Sequence, residues 1–259
     1  MRVAVVVSFF PSISQTFVLN QITGLIDRGH TVDIYAAGPE PAGAREVVPE
    51  AIGRYRLLDR VTYEPPRPAR APLQLAGAVR VVAQRYRHRL GAALRVLAAR
   101  HAGDETPLQL LYAGAPFVGR PAYDAILCHF GPNGLRLVQL REAGLVRGPI
   151  VTAFHGYDVS RYVAAHGEDA YRELFARGDL FLPVSHYWRR RLVGLGAPIE
   201  RTVVHPMGID LGRFPLRLRR PDGNTVRLLS VARLVEKKGI AYGVRAVAAL
   251  HAAGVRVSY

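Results

Sequence analysis

Arg233 and Lys238 flank a short segment that leads from an apolar stretch, residues 226–232, to Gly239 and a helical pattern beyond it. A strand-to-helix turn aims unpaired backbone N–H groups and the positive end of the helix dipole at whatever sits above the sheet. A guanidinium can grip two oxygens of an anion, while an ammonium acts as a point charge. The pairing therefore suits a diphosphate. A solvated pair of surface cations is the plainer alternative. Arg233 follows the apolar run directly and Lys238 abuts the glycine, which favours the anion site. Glu236, between them, reads as solvent-facing.

Other polar residues collect where apolar runs end. Residues 10–16 (FPSISQT) contain Ser14, Gln15 and Thr16, and residues 129–134 (HFGPNG) contain His129 and Gly131. His155-Gly156-Tyr157-Asp158, Ser185-His186 and His205-Pro206 follow further runs. Open α/β sheets bind ligands beyond the carboxyl ends of their strands, so the shared placement makes these residues one candidate cleft.

His155 is the catalytic candidate, because the glycine after it lets a ligand approach the backbone. A structural histidine bonded to Asp158 fits the spacing equally well. His129 is a similar, weaker candidate, and His205 before Pro206 reads as a turn residue. The Gly131–Gly134 pair implies close backbone approach and nothing more. His and Cys positions lack compact metal-ligand spacing, so no metal is expected. No G-x-S-x-G elbow supports a serine hydrolase.

The elements that must hold these residues alternate regularly. Residues 3–9 form a β-branched run expected of a strand covered on both faces. A helix follows over 15–27, with Ser12 or Ser14 as its N-cap and Gly29 closing it, then a strand over 31–36. Strands are predicted at 124–130, 149–154, 180–184 and 202–205, with helices at 135–143, 170–176 and 187–195. A strand over 225–232, a helix over 240–252 and a strand over 255–259 begin the pattern again. Such alternation implies parallel sheets of right-handed βαβ units, an α/β fold. Residues 1–211 read as an N-terminal Rossmann-like domain, 212–224 as a Pro-, Gly- and Arg-containing linker, and 225–259 as the first β-α-β of a second Rossmann-like domain.

The chain has 259 residues, 49% of them hydrophobic, so a substantial core is expected and global disorder is not. The net charge of +15 is compatible with anionic substrates or an acidic membrane surface. Its source is Arg in a chain rich in Ala and Gly, which makes it a weak pointer to nucleic acid. One cysteine, Cys128, excludes an intramolecular disulfide and fits a reducing compartment. Its apolar neighbours mark it as a core residue rather than a nucleophile. No apolar run approaches the ~18 residues of a membrane span. The apolar start lacks a small-residue cleavage site and reads as a first strand rather than a signal peptide.

Residues 65–103 stand apart, with eight arginines and no carboxylate. Leu75, Val79, Val82, Tyr86, Leu90, Ala93 and Leu97 recur at helical spacing. This basic helical insertion could lie on an anionic bilayer, or pack its apolar face on the sheet with a solvated basic face. The segment lacks Trp and Phe, the better interfacial anchors.

The motifs FFPSISQTFVLNQITGLIDRGHTVDIYA, HFGPNG, FHGYD, LPVSHYWRRRLVGLGAP, VVHPMGID and SVARLVEKKG, spread over nearly the whole chain, carry a resemblance. In combination they resemble retaining, nucleotide-sugar-dependent glycosyltransferases of the GT-B fold, family-4 group, in the exopolysaccharide branch of colanic-acid or amylovoran type. The resemblance implies a two-domain enzyme that moves a sugar from a nucleotide-diphosphate donor to a saccharide or lipid-linked acceptor. Arg233 and Lys238 would hold the donor diphosphate, without a metal or other cofactor. His155 would lie beside the transferred sugar. Ser14, Gln15 and Thr16 would fall in the acceptor-side loop, and His129, Gly131, Asp158 and Ser185 would line the same side of the cleft.

The family's second domain continues with a glycine-containing loop and a helix bearing paired glutamates, which this sequence does not contain. The chain is therefore expected to be C-terminally truncated, poorly stable over 225–259 and inactive alone. A cytoplasmic location is expected, with peripheral contact at the inner membrane face through 65–103 and no specific nucleic acid. Two alternatives stay open: a basic module binding membranes or nucleic acid, and a nucleotide-sugar epimerase of the same architecture.

Overall fold

The computed structural model describes residues 1–12, 15–40, 50–98, 105–209, 211–212, 214–216, 218 and 225–259. The chain divides into two compact units, Met1–Gly208 and Ile209–Tyr259. The expected boundary, after residue 211, lies a little further along; much of the expected linker falls outside the described residues.

The first unit is built on β1 (Arg2–Phe9), α1 (Thr16–Asp27), β2 (Thr31–Gly38), α2 (Glu50–Arg54) and β3 (Val61–Tyr63). There follow α3 (Ala71–Val81), a π-helical turn (Val82–Tyr86), α4 (Leu90–Ala98) and α5 (Pro107–Gly114). Then come β4 (Ala125–His129), α6 (Gly131–Glu142), β5 (Ile150–Phe154), α7 (Arg161–His166), α8 (Arg172–Arg177), β6 (Leu180–Pro183) and α9 (His186–Gly194). The six strands are all parallel, in the order β3-β2-β1-β4-β5-β6. This is the doubly wound Rossmann-like order, whose direction reverses between β1 and β4.

The β-branched run of β1 explains its central place. Val3, Val5 and Val7 face one apolar cluster with Val18, Leu19 and Ile22 of α1. Ala4 and Val6 face a second, larger cluster with α4, α5 and α6. A strand buried on both faces must be apolar throughout, as this one is. Cys128 on β4 is fully buried, and that burial pushes its thiol well above the ordinary range.

Several expected elements differ. The helix expected from residue 135 begins at Gly131, because Pro132 occupies the first turn, where a missing N–H costs nothing. The strand expected at 202–205 is reduced to an isolated bridge, Phe181–Thr202, extended by Val203 and His205 N–H groups donating to β6 carbonyls. Gln15, not Ser12, is the N-cap of α1, and it makes no side-chain cap bond. Ser14 lies outside the described residues. The insertion is not one helix but α3, the π-helical turn and α4.

Gly134 is a packing glycine. A Cβ there would overlap Thr152 Oγ1 and come within 2.8 Å of Thr152 Cγ2, on a fully buried β5 residue. Gly134→Ala is expected to cost about 1–3 kcal/mol through overpacking, read from the urea midpoint. Thr152→Ala in the same chain should recover most of the loss, since the two sites share one contact.

The second unit contains β7 (Val226–Arg227), α10 (Ile240–Ala252) and β8 (Val257–Ser258), with β7 and β8 parallel. It is a βαβ unit. The strand expected over 225–232 stops at Arg227, because its partner pairs with it over two residues only. Leu229, Val231 and Leu234 are correspondingly exposed, and Val257 is the one buried apolar side chain among the unit's described residues.

Candidate functional site

The loops after β4 and β5 are locked together by one buried carboxylate. Asp158 accepts backbone N–H bonds from His155 (3.0 Å), Gly156 (2.8 Å) and Gly131 (3.1 Å). Gly131 opens α6, so the carboxylate also faces the positive end of that helix. Burial raises the Asp158 carboxyl above the usual carboxylate range, and the three N–H donors oppose that rise. The Asp158 carbonyl accepts a hydrogen bond from the Tyr171 hydroxyl, 2.9 Å away. Gly131 is obligatory here for the same reason as Gly134: a Cβ would sit 2.5 Å from Tyr171 Cζ.

Between the loops the two histidines meet. His129 Nδ1 and His155 Nε2 lie 3.1 Å apart, with the rings stacked at a centroid distance of 5.3 Å. The ring of His155 is thus bonded to His129 and not to Asp158, which takes only backbone donors. Phe17 of α1 and Phe130 wall His155, at centroid distances of 4.5 and 4.8 Å. Burial lowers His129 to about 3, helped by His155 and His205, and lowers His155 to about 4. Both rings are neutral at physiological pH. One ring must donate and the other accept, which leaves one N–H and one lone pair at the outer nitrogens. Those atoms, His129 Nε2 and His155 Nδ1, are enclosed and have no hydrogen-bond partner among the described residues. The arrangement offers a neutral donor and acceptor to a hydroxyl-bearing ligand; it does not offer a cation.

This pair stands at the carboxyl ends of β4 and β5, beside the point where the strand order reverses. Asn133 ties the two sides of that point, donating to Ser8 Oγ at the end of β1 (3.2 Å) and to the His129 carbonyl (2.7 Å). Phe130 adopts φ 72°, ψ 137°, a strained conformation for an aromatic residue, and such strain concentrates at functional sites.

The other expected residues are more dispersed. Gln15 caps α1 and Thr16 opens it, on the loop after β1. Ser185 is the N-cap of α9, accepting the Trp188 N–H at 3.3 Å. Trp188 in turn packs against Gly156, whose φ of +108° would strain any other residue. An open cavity of about 390 Å³ lies nearby, lined by Ser160, Glu168, Tyr187, Trp188 and Arg191 among others. Sequence reasoning missed a further cluster: Arg136 on α6 pairs with Glu64 (2.9 Å) and with Glu105, and burial raises the Glu64 carboxyl. Residues this far apart in sequence leave no local signal.

In the second unit Arg233 and Lys238 both lie between β7 and α10, and both are exposed. Lys238 belongs to a 3-10 turn (Glu236–Lys238) that ends at Gly239, held at φ +67° as the N-cap of α10. Among the described residues no group of His, Cys, Asp and Glu is arranged to hold a metal, and no helix is long and apolar enough to cross a membrane.

The first unit is therefore a Rossmann-like domain with its polar loops gathered at the switch point. No protein-family model matches the chain. Relatives that it matches are named as colanic acid and amylovoran biosynthesis glycosyltransferases. It is 38% identical over its whole length to a protein of Salmonella typhimurium provisionally named colanic acid biosynthesis glycosyltransferase WcaL, and spans 63% of that protein. It is 36% identical over 92% of its length to the amylovoran biosynthesis glycosyltransferase AmsK of Erwinia amylovora, spanning 58% of that relative. The chain thus spans less than two thirds of the length of these curated relatives. Solved structures that resemble it in part include Alr3699/HepE of Anabaena with UDP and glucose (TM-score 0.46, 14% identity, 82% of this chain and 46% of that one). The lipopolysaccharide outer core galactosyltransferase WaaB in its apo form is another (TM-score 0.48, 12% identity, 94% of this chain and 57% of that one).

Proposed function

We propose that the chain carries the acceptor-side domain and the donor-diphosphate turn of a retaining GT-B glycosyltransferase. In this reading it moves a sugar from a nucleotide-diphosphate donor to a saccharide or lipid-linked acceptor in bacterial exopolysaccharide assembly. The observation that carries the reading is the similarity, over 92–100% of this chain and 58–63% of theirs, to relatives named for colanic acid and amylovoran biosynthesis. The Rossmann-like sheet with its polar loops at the switch point supports it.

Arg233 and Lys238 are proposed to grip the donor diphosphate and to stabilise the charge that builds on the departing nucleoside diphosphate, with no metal. Lys238 stands directly before Gly239, the N-cap of α10, so the helix dipole adds to its charge. His155 is proposed to stand beside the transferred sugar, with Nδ1 as the atom that bonds a sugar hydroxyl; the side chains enclosing it must move for that contact. Retention would follow from same-face attack, the leaving phosphate helping to take the acceptor proton. Ser14, Gln15 and Thr16 are proposed for the acceptor side; the cavity beside Trp188, which none of them lines, has room for a sugar ring. The protein is proposed to work in the cytoplasm at the inner face of the membrane.

Donor turnover by the whole enzyme that contains this chain tests the reading. Arg233→Ala and Lys238→Ala should each lower kcat/KM about a hundredfold, as loss of one transition-state charge contact does. Both side chains are exposed, so thermal stability should not change. Unchanged turnover in both variants overturns the assignment of these residues.

A further inference from the structure

A second cavity in the first unit, about 540 Å³, shares no residue with the histidine site. It lies against β3, the edge strand of the sheet, and is lined there by Thr62 and Tyr63. Its remaining wall includes Arg85, Arg87, His88, Arg89 and Arg120, and no carboxylate lines it. Arg120 is already oriented, donating from Nη2 to Thr62 Oγ1 at 3.2 Å and from Nε to the Pro116 carbonyl at 3.4 Å. No side-chain hydrogen bond or ion pair joins Arg85, Arg87 or Arg89 to another described residue. Four guanidiniums around one hollow repel each other, and a bound polyanionic group removes that repulsion while matching their planar donor geometry.

The cavity rim continues directly into an apolar stripe. Arg89 precedes Leu90, the first residue of α4, and Leu90, Leu94 and Leu97 follow at i, i+4 and i+7, with exposures of 54%, 65% and 42%. The other side of the same helix, Ala92, Ala93 and Val96, fills the core. Helix α3 likewise buries Ala78 and Val81 while exposing Leu75 and Val79. Helices that are apolar on two sides, beside a cationic hollow and without a carboxylate from residue 65 to 98, suit a partner that brings phosphate and hydrocarbon together. A soluble nucleotide or a nucleic acid offers the phosphate alone.

We propose that this cavity binds the phosphate headgroup of an anionic bilayer lipid, with the Leu90–Leu94–Leu97 stripe inserted among the acyl chains. The proposal deepens the reading of a protein that works at a membrane face, and names where and by which chemistry it does so. It stands or falls apart from sugar transfer, because its test contains no donor.

The test is co-sedimentation of the 259-residue chain with phosphatidylcholine vesicles, with and without phosphatidylglycerol. Binding is expected only when phosphatidylglycerol is present, and Arg87→Gln with Arg89→Gln should weaken it about thirty-fold, the loss expected for two surface charges near an anionic leaflet. Leu90→Ser with Leu94→Ser should weaken it as well, while both double variants keep the unaltered melting temperature because all four residues are exposed. The second unit also exposes apolar side chains, so the difference between variants is the measurement. Equal binding to phosphatidylcholine alone, no vesicle binding, or indifference to either double variant overturns the proposal. Displacement by an oligonucleotide at matched phosphate concentration, with the leucine variant behaving as wild type, overturns it in favour of nucleic acid.

Discussion

Asp158→Ala is expected to lower the unfolding free energy by about 3–5 kcal/mol, the cost of removing one partner from a buried, charge-assisted network. The carboxylate is fully buried and is shared by three backbone donors from two different loops. Alanine leaves those N–H groups without an acceptor and opens a space that water reaches poorly. The loops after β4 and β5 would then lose the link that keeps His129 and His155 in register. Asp158→Asn should fall between wild type and alanine, because its amide oxygen can still accept while its NH2 group faces a backbone donor. Urea unfolding followed by far-UV circular dichroism reads the stability, and the His129 and His155 ring resonances read the register. An alanine variant within about 0.5 kcal/mol of wild type, the ordinary scatter of a surface substitution, would show that the loops hold without the carboxylate.

Local pattern made much of this chain legible. Consecutive β-branched residues announce β1, and the apolar spacing at Val18 and Ile22 announces α1. The placement of His155 and Asp158 three residues apart around a glycine signalled a folded loop, although not that the aspartate serves backbone donors while a second histidine takes the ring. Residues 131–134 read as a loop because Gly-Pro-Asn-Gly is turn composition. In the structure Gly131 opens α6 with Pro132 in its first turn, and the glycines admit Tyr171 and Thr152 to its surface.

The basic insertion shows how one irregular turn defeats periodicity. A single 3.6-residue phase from Leu75 to Leu97 puts Leu75, Val79, Val82, Tyr86, Leu90, Ala93 and Leu97 on one face. The π-helical turn at Val82–Tyr86 and the break after it reset that phase. Tyr86 and Ala93 stay inside, while Leu75, Val79, Leu90 and Leu97 turn outward. The Arg136 cluster and the three-residue β3 were invisible for a different reason: both are defined by partners remote in sequence.

Acid should destabilise the first unit steeply, and the histidine pair should account for much of the slope. Unfolded histidine titrates near 6.5, whereas burial holds His129 down at about 3 and His155 at about 4. Between pH 6.5 and 4 the unfolded chain therefore binds protons that the native state refuses. Stability is complete above the unfolded value and falls as pH drops through this window, by about 1.4 kcal/mol per pH unit for each ring. The raised Asp158 carboxyl acts in the opposite direction, since the native state takes up that proton first. Its contribution is common to wild type and variants, so a comparison isolates the histidines. His129→Asn keeps an amide in reach of His155 Nε2 and removes one buried titrating ring. Its stability curve should start lower than wild type at neutral pH and converge on it during acidification, by about 1.4 kcal/mol for each pH unit below 6.5. Parallel curves for the two proteins would mean that His129 titrates normally in the folded state, and with it would go the picture of a neutral, enclosed pair at the switch point of the sheet.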